Sequence, residues 1–346
     1  MSLESVIKLP VNQFDHFYRG GDRIGALRHG PGGPRRPEEW IASTTARFGQ
    51  APQGMTVLPD GRTLAEEVSA DPDRWLGPAH VARYGPSTEV LVKLLDLDQR
   101  LPVHLHPNRS FSRTHLGLAH GKTEAWYVLD APPGAKVGVG FAEEMSMDRM
   151  RSWVMDRDSE ALLSALRTRE VRPGDAMLVP AGLPHTVQDG VFVLELQEPT
   201  DLSILLEWEG FAVDGFKDGH LDLGFDTALQ AVDTSAIADS DLDRLVVPRE
   251  EIEAIGMTSA LPAAADSYFR AHRIAPGDEA IFVDPGFAIL LVTEGRGVLD
   301  VGGSGFEVAR GDAFVLPYAA GEWSLAGNVV AMLSRPPDPG APEAPR

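Results

Sequence analysis

His104-Leu105-His106 places two imidazoles two residues apart in an apolar stretch. On a strand, residues i and i+2 point to the same side, so both rings converge on one point. A second segment carries Gly174, Pro180, Gly182 and His185 in the spacing G-x5-P-x-G-x2-H. Gly174-Asp175 reads as a hairpin turn; a strand follows, and Pro180 and Gly182 bend the chain so that His185 points inward. Glu124 opens a further β-rich run, Glu124 to Leu129, and can add a carboxylate. His104, His106, Glu124 and His185 thus form a ligand set for one divalent cation. Zinc, iron, manganese and nickel all suit these donors. Of the other histidines, His115 and His120 fall in a Gly-containing loop and are expected in solvent. His16, His29, His80, His220 and His272 have no partner pattern and read as structural.

Short strands must carry these groups. Val90 to Leu95 is an apolar, β-rich run, Val103 to His106 reads as a second strand ended by Pro107, and residues 107–122 read as a loop. Upstream, Leu64 to Val68 and Trp75 to Tyr84 look like short helices interrupted by Pro72 and Pro78, and the Gly- and Pro-rich residues 19–38 should be largely irregular. Residues 142–169 differ: Met147, Met150 and Val154, then Leu162, Leu163 and Leu166, recur at helical spacing and predict two helices. This insert is a candidate for the rim of the site. From Arg335 onward five Pro fall in twelve residues, the composition of a disordered tail.

An internal repeat organises the chain. Val171 to Pro180 matches Val308 to Pro317 at a constant offset of 137, with eight identities in 26 positions when extended to residue 196. Two β-rich units follow, the first enlarged by the N-terminal region and the helical insert. The expected boundaries are 1–245 for a metal-binding catalytic domain containing the insert at about 142–169, 246–334 for a degenerate second domain, and 335–346 for the tail. At the repeat offset Glu322 stands opposite His185, and Ala288 is the expected equivalent of Glu124, so the second unit should be structural.

Composition excludes several classes. None of the 346 residues is Cys, which removes disulfide scaffolds, thiolate metal sites and cysteine nucleophiles. Fifty-one acidic against 31 basic residues leave a net charge of −20, which repels nucleic-acid backbones and anionic lipid. The N-terminus lacks the apolar run of a signal peptide and no stretch reaches 18 apolar residues, so a cytoplasmic protein without membrane partners is expected.

The combination resembles the cupin superfamily and, more narrowly, the type I mannose-6-phosphate isomerases. The residues that carry it are Val92-Lys93-Leu94-Leu95-Asp96, Leu101 to Asn108, Gly121 to Asp130, the His185 segment and Leu194-Glu195. The resemblance implies a mainly β fold of two cupin (jelly-roll β-barrel) units with short N-terminal helices. It implies metal ligands at His104, His106, Glu124 and His185, and active-site roles for Lys93, Lys122 and Glu195. The implied reaction interconverts an aldose phosphate and a ketose phosphate with one divalent ion, normally zinc, so a sugar or sugar phosphate is the expected partner. Two positions depart from the family pattern. His104 stands where the family usually has Gln, and Leu205 stands where it has an Arg that serves the substrate or its phosphate. Arg109 and Arg113 are the candidates to replace that Arg. A cupin dioxygenase using iron and a non-catalytic sugar-binding cupin are the alternative readings.

Overall fold

The computed structural model describes residues 6–344 and is mainly β, with three antiparallel sheets. A seven-stranded sheet runs in the order Val246–Val247, Ala176–Val179, Glu124–Asp130, Phe192–Gln197, Leu91–Asp96, Glu38–Ile41, Gln13–Phe14. A five-stranded sheet lies on one face of it, ordered Ile204–Leu205, His104–Leu105, His185–Val187, Lys136–Phe141, Leu166–Glu170. The central strands of the first sheet are buried on both faces, which is why they read as continuous apolar runs. Leu94, Ala125 and Leu194 face the second unit, whereas Leu95, Trp126 and Val193 face the five-stranded sheet. The two-residue period therefore sends Lys93 and Glu195, which are Cα partners on adjacent strands, into the space between the two sheets.

Around the long strand Ala288–Val301 the second unit builds a nine-stranded sheet system. Ile289 and Leu291 pack against the first unit, while Leu290 and Val292 fill the second unit's own core. Both copies of the repeat make the same turn. Gly174 and Gly311 have φ of +92° and +95°, and Asp175 and Asp312 each accept the backbone N–H three residues earlier, at 2.9 and 3.0 Å. At Gly311 an added Cβ would lie 1.8 Å from the Leu27 carbonyl oxygen, so only glycine fits. Glu124 and Ala288 stand at matching registers, opposite Val179 and Leu316. The N-terminal strand Ile7–Lys8, expected with the first unit, pairs with Ala313–Leu316 of the second. A two-residue strand has no periodicity of its own, and this pairing completes the second unit's edge.

Several local expectations change. The helix Asp22–Arg28 lies inside the segment expected to be irregular; Gly21 and Arg23 N–H donate to the buried Asp96 carboxylate at 3.0 and 2.7 Å, a cap supplied from 73 residues away or more. Pro72 and Pro78 do not break a helix but open two, Pro72–Leu76 and Pro78–Tyr84, where the missing N–H has no partner to lose. Leu64–Ala70 begins with a Thr63/Glu66 capping box. The helices of the insert are Met147–Asp156 and Ser159–Ala165, but Leu166 belongs to a strand that pairs with Phe141. Strand pairing satisfies that backbone while the side chain stays buried, so the helical spacing misleads there. The insert packs through Met150, Val154 and Leu162 in one apolar cluster with Val103 and Leu105, and none of its residues lines the cavity described below. Of the segment expected to be a disordered tail, residues to 344 are placed, with Arg83 donating to Ala341 O at 2.7 Å and Arg270 to Pro336 O at 3.1 Å. Residues 345 and 346 lie outside the described chain.

Candidate metal centre and its cavity

His104 and His185 are Cα partners on adjacent strands of the five-stranded sheet, and His106 follows His104 by two residues. The donor atoms of all three lie within 4.8 Å of one another, and all three rings are buried. Each Nδ1 donates to a backbone carbonyl: His104 to Pro102 at 2.8 Å, His106 to Leu202 at 2.7 Å, His185 to Leu183 at 2.9 Å. That fixes the tautomer and leaves three Nε2 lone pairs converging. Burial, then neighbouring charge, lowers His104 well below its ordinary range and His106 to about 3, which keeps both neutral, the form that binds metals.

Glu124 closes the group. Its Oε2 lies 2.9 Å from His106 Nε2 and its Oε1 3.4 Å from His185 Nε2. The carboxyl also receives Lys122 Nζ at 2.5 Å and Trp126 Nε1 at 3.0 Å. Burial pushes Glu124 up, but the Lys122 ammonium and His106 outweigh it and hold the carboxyl well below its usual range. The buried His185 Nε2 has no hydrogen-bond partner among the described residues. A buried lone pair without a donor, beside the His104 Nε2, the His106 Nε2 that Lys122 Nζ approaches at 2.8 Å, and an ionised carboxylate, fits a divalent cation.

The motif spacing now has a physical cause. Gly182, at φ +94°, donates its N–H to the His106 carbonyl at 2.8 Å and ties the two histidine segments together. Residues 107–122, expected as a loop, contain the helical turns Arg109–Phe111 and Ser112–Leu116, capped by Asn108. Their return is closed by Lys122 N donating to Pro107 O at 3.0 Å. Arg109 is bound to Glu198 at 2.5 Å, and the other Glu198 oxygen accepts Thr123 N at 2.9 Å. Arg109 therefore holds this loop in place. Neither it nor Arg113 lines the cavity described below.

Beside the histidines lies a second charged layer. Glu195 Oε2 accepts Trp126 Nε1 at 3.3 Å, and Oε1 has no hydrogen-bond partner among the described residues. Lys93 Nζ stands 3.7 Å from Glu195, 3.5 Å from Glu38 and 3.8 Å from Asp201, and 4.5 Å from the centre of the Trp40 ring. Burial lowers the Lys93 ammonium, but these three carboxylates outweigh it and raise it. Glu195 moves up to about 7, first through burial and then through the Glu124 charge. Glu38, a wall group that the motifs do not show, accepts Tyr18 Oη at 2.5 Å and Trp40 Nε1 at 2.8 Å.

These groups line one cavity of about 530 Å³, shared by His104, Lys93, Lys122 and Glu195. Every residue expected in the site is therefore at or beside it. The wall also contains His16, expected to be structural, and Arg47, which had no signal in the sequence. Leu205 lines it too, as the Cα partner of His104. His120, expected in solvent, is mostly buried and bonds Glu89 at 2.9 Å outside the cavity.

Comparison with known proteins agrees with this architecture. The family model for the mannose-6-phosphate isomerase cupin domain matches residues 263–336, in the second unit. The mannose-6-phosphate isomerase ManA of Bacillus subtilis (strain 168) is 27% identical over 253 residues, 72% of this chain and 76% of that one. The crystal structure of the mannose 6-phosphate isomerase from Bacillus subtilis superposes with a TM-score of 0.74 at 21% identity, covering 96% of this chain and all of that one (100%). A mannose 6-phosphate isomerase bound with zinc and yttrium has a TM-score of 0.72 at 13% identity, with 97% and 100% covered. Among the described residues no helix is long and apolar enough to cross a membrane. In sequence and in fold, this chain is thus similar to the mannose-6-phosphate isomerases.

Proposed function

We propose that the chain is a metal-dependent aldose–ketose isomerase, with the cation held by His104, His106, His185 and Glu124. The observation that carries this reading is the pairing of three convergent imidazole Nε2 atoms with a separate buried carboxyl, Glu195, that has one oxygen without a hydrogen-bond partner among the described residues. A metal shell alone has no need of Glu195, Lys93 and Lys122 in one cavity. Zinc is the proposed ion, because the donors are histidine and carboxylate and one relative of the same fold is bound with zinc. Bound there, the ion supplies Lewis-acid polarisation of a sugar carbonyl.

Moving a carbonyl between C1 and C2 takes a proton from one carbon and returns it to the other. Glu195 Oε1 is the proposed acceptor and donor of that proton. A carboxyl moved up to about 7 is poised for both directions near neutral pH. Lys93 holds the ionised form of Glu195 in place from 3.7 Å. Lys122 Nζ, anchored on Glu124, offers a donor to oxygen that gains charge. Trp126 binds both Glu124 and Glu195 and fixes the distance between the metal end and the base. The test is interconversion of aldohexoses and ketohexoses, free and phosphorylated, by the zinc-loaded protein beside His185→Ala. Turnover lost in the variant is the expected result. Stoichiometric zinc with no interconversion of any sugar in the series would refute the proposal.

A further inference from the structure

The cavity wall is rich in carboxylates. Asp201, Asp214, Asp218 and Asp222 all line it, together with Arg47. Asp214, Asp218 and Asp222 are exposed, and among the described residues no lysine or arginine forms an ion pair with them. Over the whole lining six carboxylates face three cations, counting Glu38 and Glu195 with the four Asp against Arg47, Lys93 and Lys122. Two of those cations are already neutralised, Lys93 among three carboxylates and Lys122 on Glu124. The guanidinium of Arg47 is turned to Asp15 O at 3.1 Å and Gln53 Oε1 at 3.2 Å. Leu205 N–H donates to Gly219 O at 2.9 Å, which brings the acidic segment 214–222 across the buried, apolar Leu205 side chain.

We infer, on the isomerase reading above, that the substrate is an unphosphorylated aldose whose hydroxyls bind the acidic rim, and not a sugar phosphate. A carboxylate is an acceptor only, and a sugar diol offers it two O–H donors. A phosphate dianion has nothing to donate and meets like charge there. Phe17 and Phe48 also line the cavity and give the carbon face of a pyranose an apolar surface. The volume of about 530 Å³ admits a hexose together with water.

The experiment compares kcat/KM of the zinc-loaded protein for mannose and for mannose 6-phosphate at low and high ionic strength. The expected result is at least about tenfold higher efficiency on the free sugar. Residual turnover of the ester should rise with salt, because screening weakens repulsion, while that of the neutral sugar stays flat. In Asp218→Asn/Asp222→Asn the ratio of ester to free-sugar efficiency should rise at least about threefold. Higher efficiency on the ester, falling with salt and lost in Arg47→Ala, would overturn this inference and leave the isomerase reading intact. If neither sugar nor any other aldohexose, free or phosphorylated, is converted, the isomerase reading itself fails and the inference with it. The two failures are therefore distinguishable.

Discussion

Replacing Lys93 by methionine tests whether Glu195 is the base. The substitution keeps the side chain's length and its packing against Trp40 but removes a charge 3.7 Å from Glu195 Oε1. At an effective dielectric constant of ~20, that contact is worth about 4.5 kcal/mol to the ionised carboxylate. Water in the cavity screens part of it, and Lys122 remains nearby. Even a third of that energy corresponds to about one pH unit. The sign follows directly. Glu195 must be ionised to accept a proton, so activity falls as pH drops through its pKa, which burial and Glu124 have already raised to about 7. Without Lys93 the ionised form is less favourable, and the acid limb of the kcat/KM profile should move at least about one pH unit higher than in wild type. Glu195→Gln should cost about 10²–10⁴-fold in kcat and remove this limb. Profiles in a constant-ionic-strength buffer, with zinc content checked for each variant, provide the measurement. An acid limb unmoved or shifted downward in Lys93→Met would refute the assignment of Glu195 as the base.

Two further predictions concern metal and stability. At free zinc about 100 times its Kd, unfolding should become about 2.7 kcal/mol harder, and this gain should vanish in His185→Ala and with a chelator; thermal melts with and without zinc read it directly. Arg28→Met should destabilise the fold by about 3–5 kcal/mol in urea titrations, because Glu39, fully buried, loses its partner at 3.0 Å and the carbonyls of Leu9 and Gly311 lose a donor. Arg28→Met/Glu39→Gln should lose less than Arg28→Met alone, and equal losses would show that the carboxylate is not the cause.

Much of the candidate metal centre is legible locally, because its geometry is set by short-range rules. The i, i+2 spacing of His104 and His106 needs only a strand, and Gly182 needs only the positive φ that its contact with the His106 carbonyl demands. The repeat likewise reads out correctly as a shared Gly-Asp turn, since Asp175 and Asp312 bond three residues back within their own chain segment. The family resemblance added Lys93, Lys122 and Glu195, and the register of adjacent strands explains why they meet.

The cavity wall is a different case. Glu38 reaches Lys93, and brings His16 with it at 3.5 Å, because Glu38–Ile41 pairs with Leu91–Asp96, a neighbour relation across some fifty residues that no spacing encodes. Arg47 and Asp201 meet through Phe48 N–H donating to Asp201 at 3.1 Å, over 153 residues of chain. Arg109 looked available as a substrate arginine until its bond to Glu198 turned it into a loop anchor. Local chemistry thus determined the candidate ligands and the turns that present them, because a strand's period and a glycine's φ act within a few residues. Which charges surround the substrate was decided only by tertiary structure, because sheet order joins residues far apart in the chain, and a buried charge takes its character from whatever that order places beside it.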